Sequence, residues 1–378
     1  QKNSRWYSGS GIYRPVWLWV SSPLHVAHWG IHITTPQVSA GYASVLVHTR
    51  VQNETAEGQD VTLRSYILAP DGVTMATSTS TATLSPNAEH QFSQKTHLPA
   101  PALWSPETPR LYQVQCEVMV DGKMIDSARQ AFGIRSLEID AQRGLRLNGL
   151  PLKLKGGCVH HDNGVLGAAS YPRAEERKAA LLKANGYNAV RCAHNPPAPA
   201  FLEACDRLGL LVIDEAFDCW REGKNPYDYH VVFEDWWQRD IESMLLRDRN
   251  HPSIILWSIG NEVRERDARS SGDETARQLA ALVRRLDPTR PVTAALCASA
   301  EGKDWSVMDT VFAALDVCGY NYEWKRCQPD HARWPQRIIV GAESKPREVF
   351  DSWMQVLDHE YVIGDFVWTA LDYLGEAG

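Results

Sequence analysis

The sequence has no Cys-x-x-Cys pair among its eight cysteines, Cys116, Cys158, Cys192, Cys205, Cys219, Cys297, Cys318 and Cys327. A structural zinc site is therefore not expected. Several of these cysteines sit in apolar runs, where a thiol behaves as a small hydrophobe, so buried free thiols are expected and the redox compartment stays open. No apolar run approaches the roughly 20 residues that cross a bilayer, so no membrane insertion is expected. Positive charge is not in excess either: 39 Lys and Arg against 46 Asp and Glu leave a net charge of −7. Such a balance argues against nucleic acid or an anionic membrane as the main partner. The opening Gln1-Lys2-Asn3-Ser4 has neither the basic nor the apolar region of a secretory leader.

What is present is the composition of a globular protein. The 378 residues are 44% hydrophobic and 22% charged, enough for two or three domains at roughly 100–200 residues each. Fourteen tryptophans are many for this length. Most are expected to fill cores; the others suit stacking against the C–H faces of sugar rings. Asn53-Glu54-Thr55 fits a glycosylation acceptor, a tripeptide common by chance.

Three patterns follow one another. Residues 1–20 are short and aromatic, with Trp6, Tyr7, Tyr13, Trp17 and Trp19, and are expected to end a preceding domain with a closing strand. Residues 21–139 carry short alternating runs such as Ser44–His48 and Tyr112–Val118, separated by turns at Pro70-Asp71-Gly72, Ser85-Pro86-Asn87 and Asp121-Gly122-Lys123. This spacing predicts an antiparallel, immunoglobulin-like β-sandwich, with lone residues such as Glu89 and His97 on its solvated surface.

Residues 140–378 alternate strand and helix. Strands are expected at Leu152–Cys158, Asn188–Cys192, Leu210–Glu215, Ser253–Gly260, Pro291–Ala295, Asp316–Asn321, Arg337–Glu343 and Val362–Trp368. Helices are expected at Ala174–Asn185, Pro199–Leu208, Glu234–Asn250, Asp273–Leu286 and Val349–Glu360. Eight strands with helices between most of them predict an α/β fold of the (β/α)8 TIM-barrel type. About ten residues follow the eighth strand, so its closing helix is not expected within the sequence.

In such barrels the active site lies at the C-terminal ends of the strands. Those ends read His160, His161 and Asp162; Arg191 and His194; Asp214, Glu215 and Asp218; Asn261 and Glu262; Asn321 and Tyr322; Glu343; and Trp368. Singly each has an ordinary reading, as a loop cap, a rim ion pair or barrel packing. Their convergence is the signal. Glu262 and Glu343 each follow a buried run, on strands four and seven, which lie across the barrel mouth. Retaining cleavage of a glycosidic bond needs such a pair: an acid for the leaving oxygen and a carboxylate to attack C1.

The segments Gly260-Asn261-Glu262-Val263, Arg191-Cys192-Ala193-His194-Asn195-Pro196-Pro197, Gly9-Ser10-Gly11-Ile12-Tyr13-Arg14 and Phe366–Tyr373 together resemble glycoside hydrolase family 2. The likeness covers essentially the whole sequence and is nearest to the bacterial β-galactosidases. It implies the remnant of a sugar-binding jelly roll at 1–20, then the sandwich, then the catalytic barrel. It implies retaining hydrolysis of terminal β-galactosides with no cofactor, β-glucuronidase and β-mannosidase being the runners-up. An incomplete piece that only binds sugar or supports assembly is the reading from another class. The partner implied is a β-galactoside or oligosaccharide; a homo-oligomer is left open, and a periplasmic or secreted location follows by analogy alone.

By the same resemblance Glu262 matches the acid/base and Glu343 the nucleophile. Glu262 is expected to have a raised pKa, from burial and neighbouring negative charge. Arg191 is expected to hold Glu343 ionised, and Tyr322 to hydrogen-bond it. Asn261 matches the ligand of the sugar 2-hydroxyl, His194 a sugar-hydroxyl ligand, His161 a residue near the scissile bond and Trp368 the aromatic floor. Where some β-galactosidases place a glutamate and a histidine for magnesium, this sequence has Asp218 and Trp220. Tryptophan cannot ligate a metal, so no metal is predicted, and Asp218 is expected to meet a sugar hydroxyl instead.

Overall fold

The computed structural model describes residues 6, 7, 9, 11–266, 270–298 and 304–371. Gln1–Ser4, Ser10 of the Gly9–Arg14 run, and Asp372 and Tyr373 of the eighth-strand segment lie outside the described residues. The chain divides into two compact units, Val16–Ser136 with Arg249–Pro252, and Gln1–Pro15 with Leu137–Asp248 and Ser253–Gly378.

The first unit is the sandwich. Strands β1 (Leu24–Ser39), β2 (Tyr42–Asn53), β3 (Gln59–Leu68), β4 (Thr74–Leu84), β5 (Ala88–Pro99), β6 (Tyr112–Val120) and β7 (Lys123–Phe132) form two antiparallel sheets, ordered β1-β2-β5 and β4-β3-β6-β7. Burial alternates residue by residue along β2 and β3, because successive side chains leave opposite faces of a strand. Val45, Val47 and Val51 thereby meet Leu63, Ile67, Val114 and Val118 in one core. As expected, Glu89 and His97 face solvent, the first beside Arg50 at 3.3 Å and the second at 2.6 Å from the Tyr42 hydroxyl.

The second unit opens with three short antiparallel strands, β8 (Leu137–Asp140), β9 (Gly144–Leu147) and β10 (Leu150–Pro151). Leu137–Ile139 therefore pair with β9 and leave the sandwich, three residues short of the expected boundary. Asn148 and Gly149 both take positive φ, 53° and 77°, the geometry of a tight hairpin turn.

The barrel follows. β11 (Leu154–Val159), β12 (Ala189–Cys192), β13 (Leu211–Glu215), β14 (Ile254–Asn261), β15 (Val292–Leu296), β16 (Val317–Asn321), β17 (Ile339–Ser344) and β18 (Val362–Val367) close in chain order, β18 pairing in parallel with β11. Every residue of β12, β13, β14, β15 and β16 is buried, as parallel strands covered on both faces require. Helices α1 (Pro172–Ala184), α2 (Pro199–Leu208), α3 (Phe233–Asp248), α4 (Gly272–Leu286) and α7 (Val349–Asp358) match the expected ones within a few residues. Two more, α5 (Asp309–Phe312) and α6 (Cys327–Arg333), were not expected. Four and seven residues are too few to display a 3.6-residue period.

Inside the barrel, glycine permits close approach. A Cβ on Gly156 would fall 2.2 Å from the Phe366 ring, and one on Gly341 would fall 2.2 Å from Asp365 Oδ1. Seven of the eight cysteines are buried and Cys297 is half-buried; all eight are free.

Among the described residues before Leu24 none is in a strand, and residues 1–5, 8 and 10 of the expected closing strand lie outside the described residues. Trp6, Tyr13 and Arg14 lie against the barrel. Arg14 donates to the carbonyls of Pro196 at 2.8 Å and Pro197 at 3.4 Å. Ser170 N–H reaches Tyr13 O at 2.9 Å, so this stretch spends its backbone on loops rather than a ladder.

Candidate active site

The strands that supply the site are irregular at their C-terminal ends. Register shifts between β14 and β15 at Ser258–Asn261, between β16 and β17 at Tyr320–Asn321, and between β17 and β18 at Gly341–Ser344 mark bulges. Bulges at a barrel rim re-aim side chains. Glu262 and Tyr322 stand just past β14 and β16 with φ of 41° and 62°. Left-handed backbone at non-glycine residues costs about 1–3 kcal/mol each and clusters at functional sites. Backbone bonds from Glu262 N to Ala295 O (2.7 Å) and from Tyr322 N to Glu343 O (2.7 Å) hold both turns.

Arg191 is the hub. It rises from β12, is buried, and donates to Glu343 Oε1 at 2.8 Å, to both oxygens of Glu215 at 2.8 Å, to Asn261 Oδ1 at 2.9 Å and to Ala342 O at 3.1 Å. Burial alone would favour losing the charge, but Glu215 and Glu343 hold the guanidinium well above its ordinary value. The two carboxylates thus keep a fixed cation between them.

Glu262 and Glu343 are bracketed by two consecutive residues. Asn321 Nδ2 donates to Glu262 Oε1 at 3.1 Å, and Tyr322 OH donates to Glu343 Oε2 at 2.6 Å. Both carboxylates therefore open at the same mouth. Tyr322 keeps its proton, since burial and the Glu343 charge push its phenol far above the usual value.

The expected rise in the Glu262 pKa is not what the structure produces. Burial does push it up. The Lys224 ammonium, the Asn321 amide and the Cys297 thiol outweigh burial and bring the carboxyl below its ordinary value. The reason is Lys224, a cation on the loop after β13 that the strand-end reading passed over.

His194 Nδ1 lies 2.7 Å from Glu215 Oε1. A carboxylate only accepts, so Nδ1 carries the proton towards Glu215. His194 Nε2 is 3.3 Å from Asn261 Nδ2 and 4.0 Å from Glu343 Oε1. Asn261 Nδ2 also donates to Asp218 Oδ1 at 2.9 Å, and Asn321 Nδ2 reaches Asn261 Oδ1 at 3.2 Å. Trp368 is half-buried and lies parallel to the His194 ring, centroids 5.1 Å apart. Arg191, His194, Asp218, Asn261, Glu262, Tyr322, Glu343 and Trp368 thus meet in one constellation.

His161 stands to one side of it. Its Nδ1 is 3.5 Å from the Asn195 amide and its ring 5.9 Å from that of Tyr13. It lines a pocket of about 420 Å³ with Trp6, Tyr13, His194 and Asp218. Burial, then Arg14 and Lys178, bring its pKa down to about 4, so the ring is neutral.

Strand-end reading noted Glu215, Asn321 and His160 without giving them roles. Glu215 is buried, accepts from Arg191, His194 and Ser258 (2.6 Å), and is held ionised by them against the pull of burial. Its signal was position: it ends the apolar run of β13. His160 packs between Trp6 at 5.0 Å and Trp368 at 5.1 Å. Nothing in the sequence places Trp6 there.

Paired carboxylates on strand ends of a closed (β/α)8 barrel are the arrangement that barrel glycoside hydrolases use. Residues 138–343 match the family model "Glycosyl hydrolases family 2, TIM barrel domain", and residues 24–135 match "Glycosyl hydrolases family 2". The chain belongs to glycoside hydrolase family 2. The β-galactosidase BoGH2A of Bacteroides ovatus is 35% identical over 450 residues, covering 100% of this chain and 52% of that protein. A β-glucuronidase of Bacteroides fragilis is 33% identical over 75% of this chain and 42% of its own length. The crystal structure of a family 2 member from Bacteroides cellulosilyticus superposes with a TM-score of 0.95 at 46% identity, covering 99% of this chain and 48% of that one. The chain spans about half the length of these relatives.

Proposed function

We propose that the chain is the catalytic core of a retaining exo-glycosidase acting on terminal non-reducing β-D-galactosides. The observation that carries this reading is the pair of adjacent donors, Asn321 and Tyr322, that present Glu262 and Glu343 to one gap above the Arg191 hub. Glu343 attacks C1 while Glu262 gives its proton to the departing glycosidic oxygen, leaving a covalent glycosyl–enzyme. A water then attacks C1, Glu262 takes its proton, and Glu343 leaves. Tyr322 and Arg191 hold the nucleophile's oxygens in place, and the exposed part of Trp368 offers a face to the sugar. Two carboxylates complete this cycle without a cofactor.

A neutral sugar is supported by the state of the buried cations. Arg191 is committed to Glu215 and Glu343, and Lys224 to Asp218 at 2.6 Å. A uronic acid would need a cation with spare capacity. Lys345 is the observation on the other side: exposed and two residues past Glu343, its ammonium lies 5.5 Å from the centre of the Tyr322 ring and 3.8 Å from Glu348 Oε1, an ion pair open to solvent. It keeps β-glucuronidase as the second reading.

Rates on nitrophenyl β-D-galactoside, β-D-glucuronide and β-D-mannoside test this directly. The galactoside should have the highest kcat/KM. A glucuronide preference that Lys345→Ala removes would replace the first reading by the second.

A further inference from the structure

Lys224 has no part in the two-carboxylate cycle, yet the loop that carries it is built to hold it still. The Lys224 and Asn225 backbone N–H groups both donate to Asp228 Oδ2, at 2.7 and 2.8 Å. Gly223 lies so close to the His230 ring that a Cβ there would fall 2.2 Å from Nδ1. The His230 ring nitrogen in turn bonds Asp228. Tyr229, at the loop's end, stacks on Phe217 at 4.8 Å and donates to Asp240 at 2.5 Å.

The ammonium delivered by this loop is mostly buried. It donates to Asp218 Oδ1 at 2.6 Å and to the backbone carbonyl of Asn261 at 2.9 Å. That carbonyl belongs to the residue immediately before Glu262. Asp218 Oδ1 also receives Asn261 Nδ2, so one lysine ties the loop after β13 to both backbone and side chain at the end of β14. Of the charged groups facing Glu262, Lys224 has the largest effect. The others are His194 from the end of β12, and Cys297 and Tyr322 beyond β15 and β16; Asp218 faces Lys224 itself.

We propose that Lys224 is a positioning residue for the hydrolysis: its ammonium fixes the bend that presents Glu262 and supplies the resident positive charge beside that carboxylate. The proposal rests on Glu262 being the acid/base. A cation there favours the ionised form, which the water-activating half of the cycle uses, and disfavours the protonated form, which leaving-group departure uses. Lys224 therefore divides the rate between the two half-reactions.

The test is the pH profile of kcat/KM for an alkyl β-galactoside, whose poor leaving group needs the acid, in the full-length protein, for wild type, K224M and K224R. The alkaline limb reports loss of the Glu262 proton. Removing the cation destabilises the ionised form, so in K224M this limb moves to higher pH by about 1 unit, the size expected of one charge at close range. K224R restores the wild-type limb. A K224M profile lowered uniformly, with its alkaline limb unmoved, overturns the proposal. If K224M is too slow to assay, carbon-13 NMR of labelled glutamate, with E262Q identifying the signal, reads the same shift in the resting protein. The underlying reading fails separately: it falls if E262Q keeps wild-type rates on substrates with poor leaving groups, whatever K224M does.

Discussion

Arg191 has almost no contact with solvent, and its charge is shared between Glu215 of β13 and Glu343 of β17. Removing one member of a buried ion network leaves the others charged and unpaired, at a cost of about 3–5 kcal/mol. Glu215→Ala and Arg191→Met should each lower stability to denaturant by that order, as well as abolishing turnover. Tyr322 differs, because its phenol bonds Glu343 from the rim. Tyr322→Phe should lose about 10²-fold in kcat, the scale of one preorganised donor, with little change in unfolding midpoint. The pH dependence belongs at this scale too. Glu262, held below its ordinary value, is ionised at rest near neutrality. For substrates with poor leaving groups kcat/KM should therefore rise as pH falls from about 7 towards about 5, whereas an activated dinitrophenyl substrate should lack that dependence. Residues at the mouth were legible where a carboxylate or arginine closes an apolar strand. Lys224 was not, because it lies six positions past Asp218 in a loop whose path depends on contacts such as those of Asp228 and Gly223.

At the scale of elements, the parallel strands were readable because each is a short apolar run between a helix stop and a polar end. α2 shows the same economy: Pro199 opens it and Gly209, at φ 73°, closes it. The bulges at the mouth were not readable, since they depend on pairing across strands that are distant in sequence. β18 adds a prediction of its own. Burial pushes the pKa of Asp365 up to about 6, opposed only by the hydroxyl of Ser344 at 2.7 Å. A carboxyl whose folded pKa exceeds its unfolded value, about 4, stabilises the protein below that value, and the contribution is lost as pH rises through about 6. Denaturant unfolding should accordingly show wild type losing up to about 3 kcal/mol between pH 4 and pH 7 through this group. Asp365→Asn should remove that dependence and leave the protein more stable at neutral pH.

For the whole molecule, the order sandwich then barrel could be read from a period of two giving way to alternating strand and helix. Membership of glycoside hydrolase family 2 follows from both regions. Choice of sugar is less legible, because it turns on which cations near the mouth retain free capacity, and side-chain pairing decides that. The central claim is that Glu262 and Glu343 work as a pair, with Glu343 forming the covalent bond. Incubating the full-length protein with a 2-fluoro-β-galactosyl fluoride, then mapping the labelled peptide by mass spectrometry, tests it most directly. The account predicts stoichiometric inactivation with the label on Glu343; a label on any other residue would contradict it.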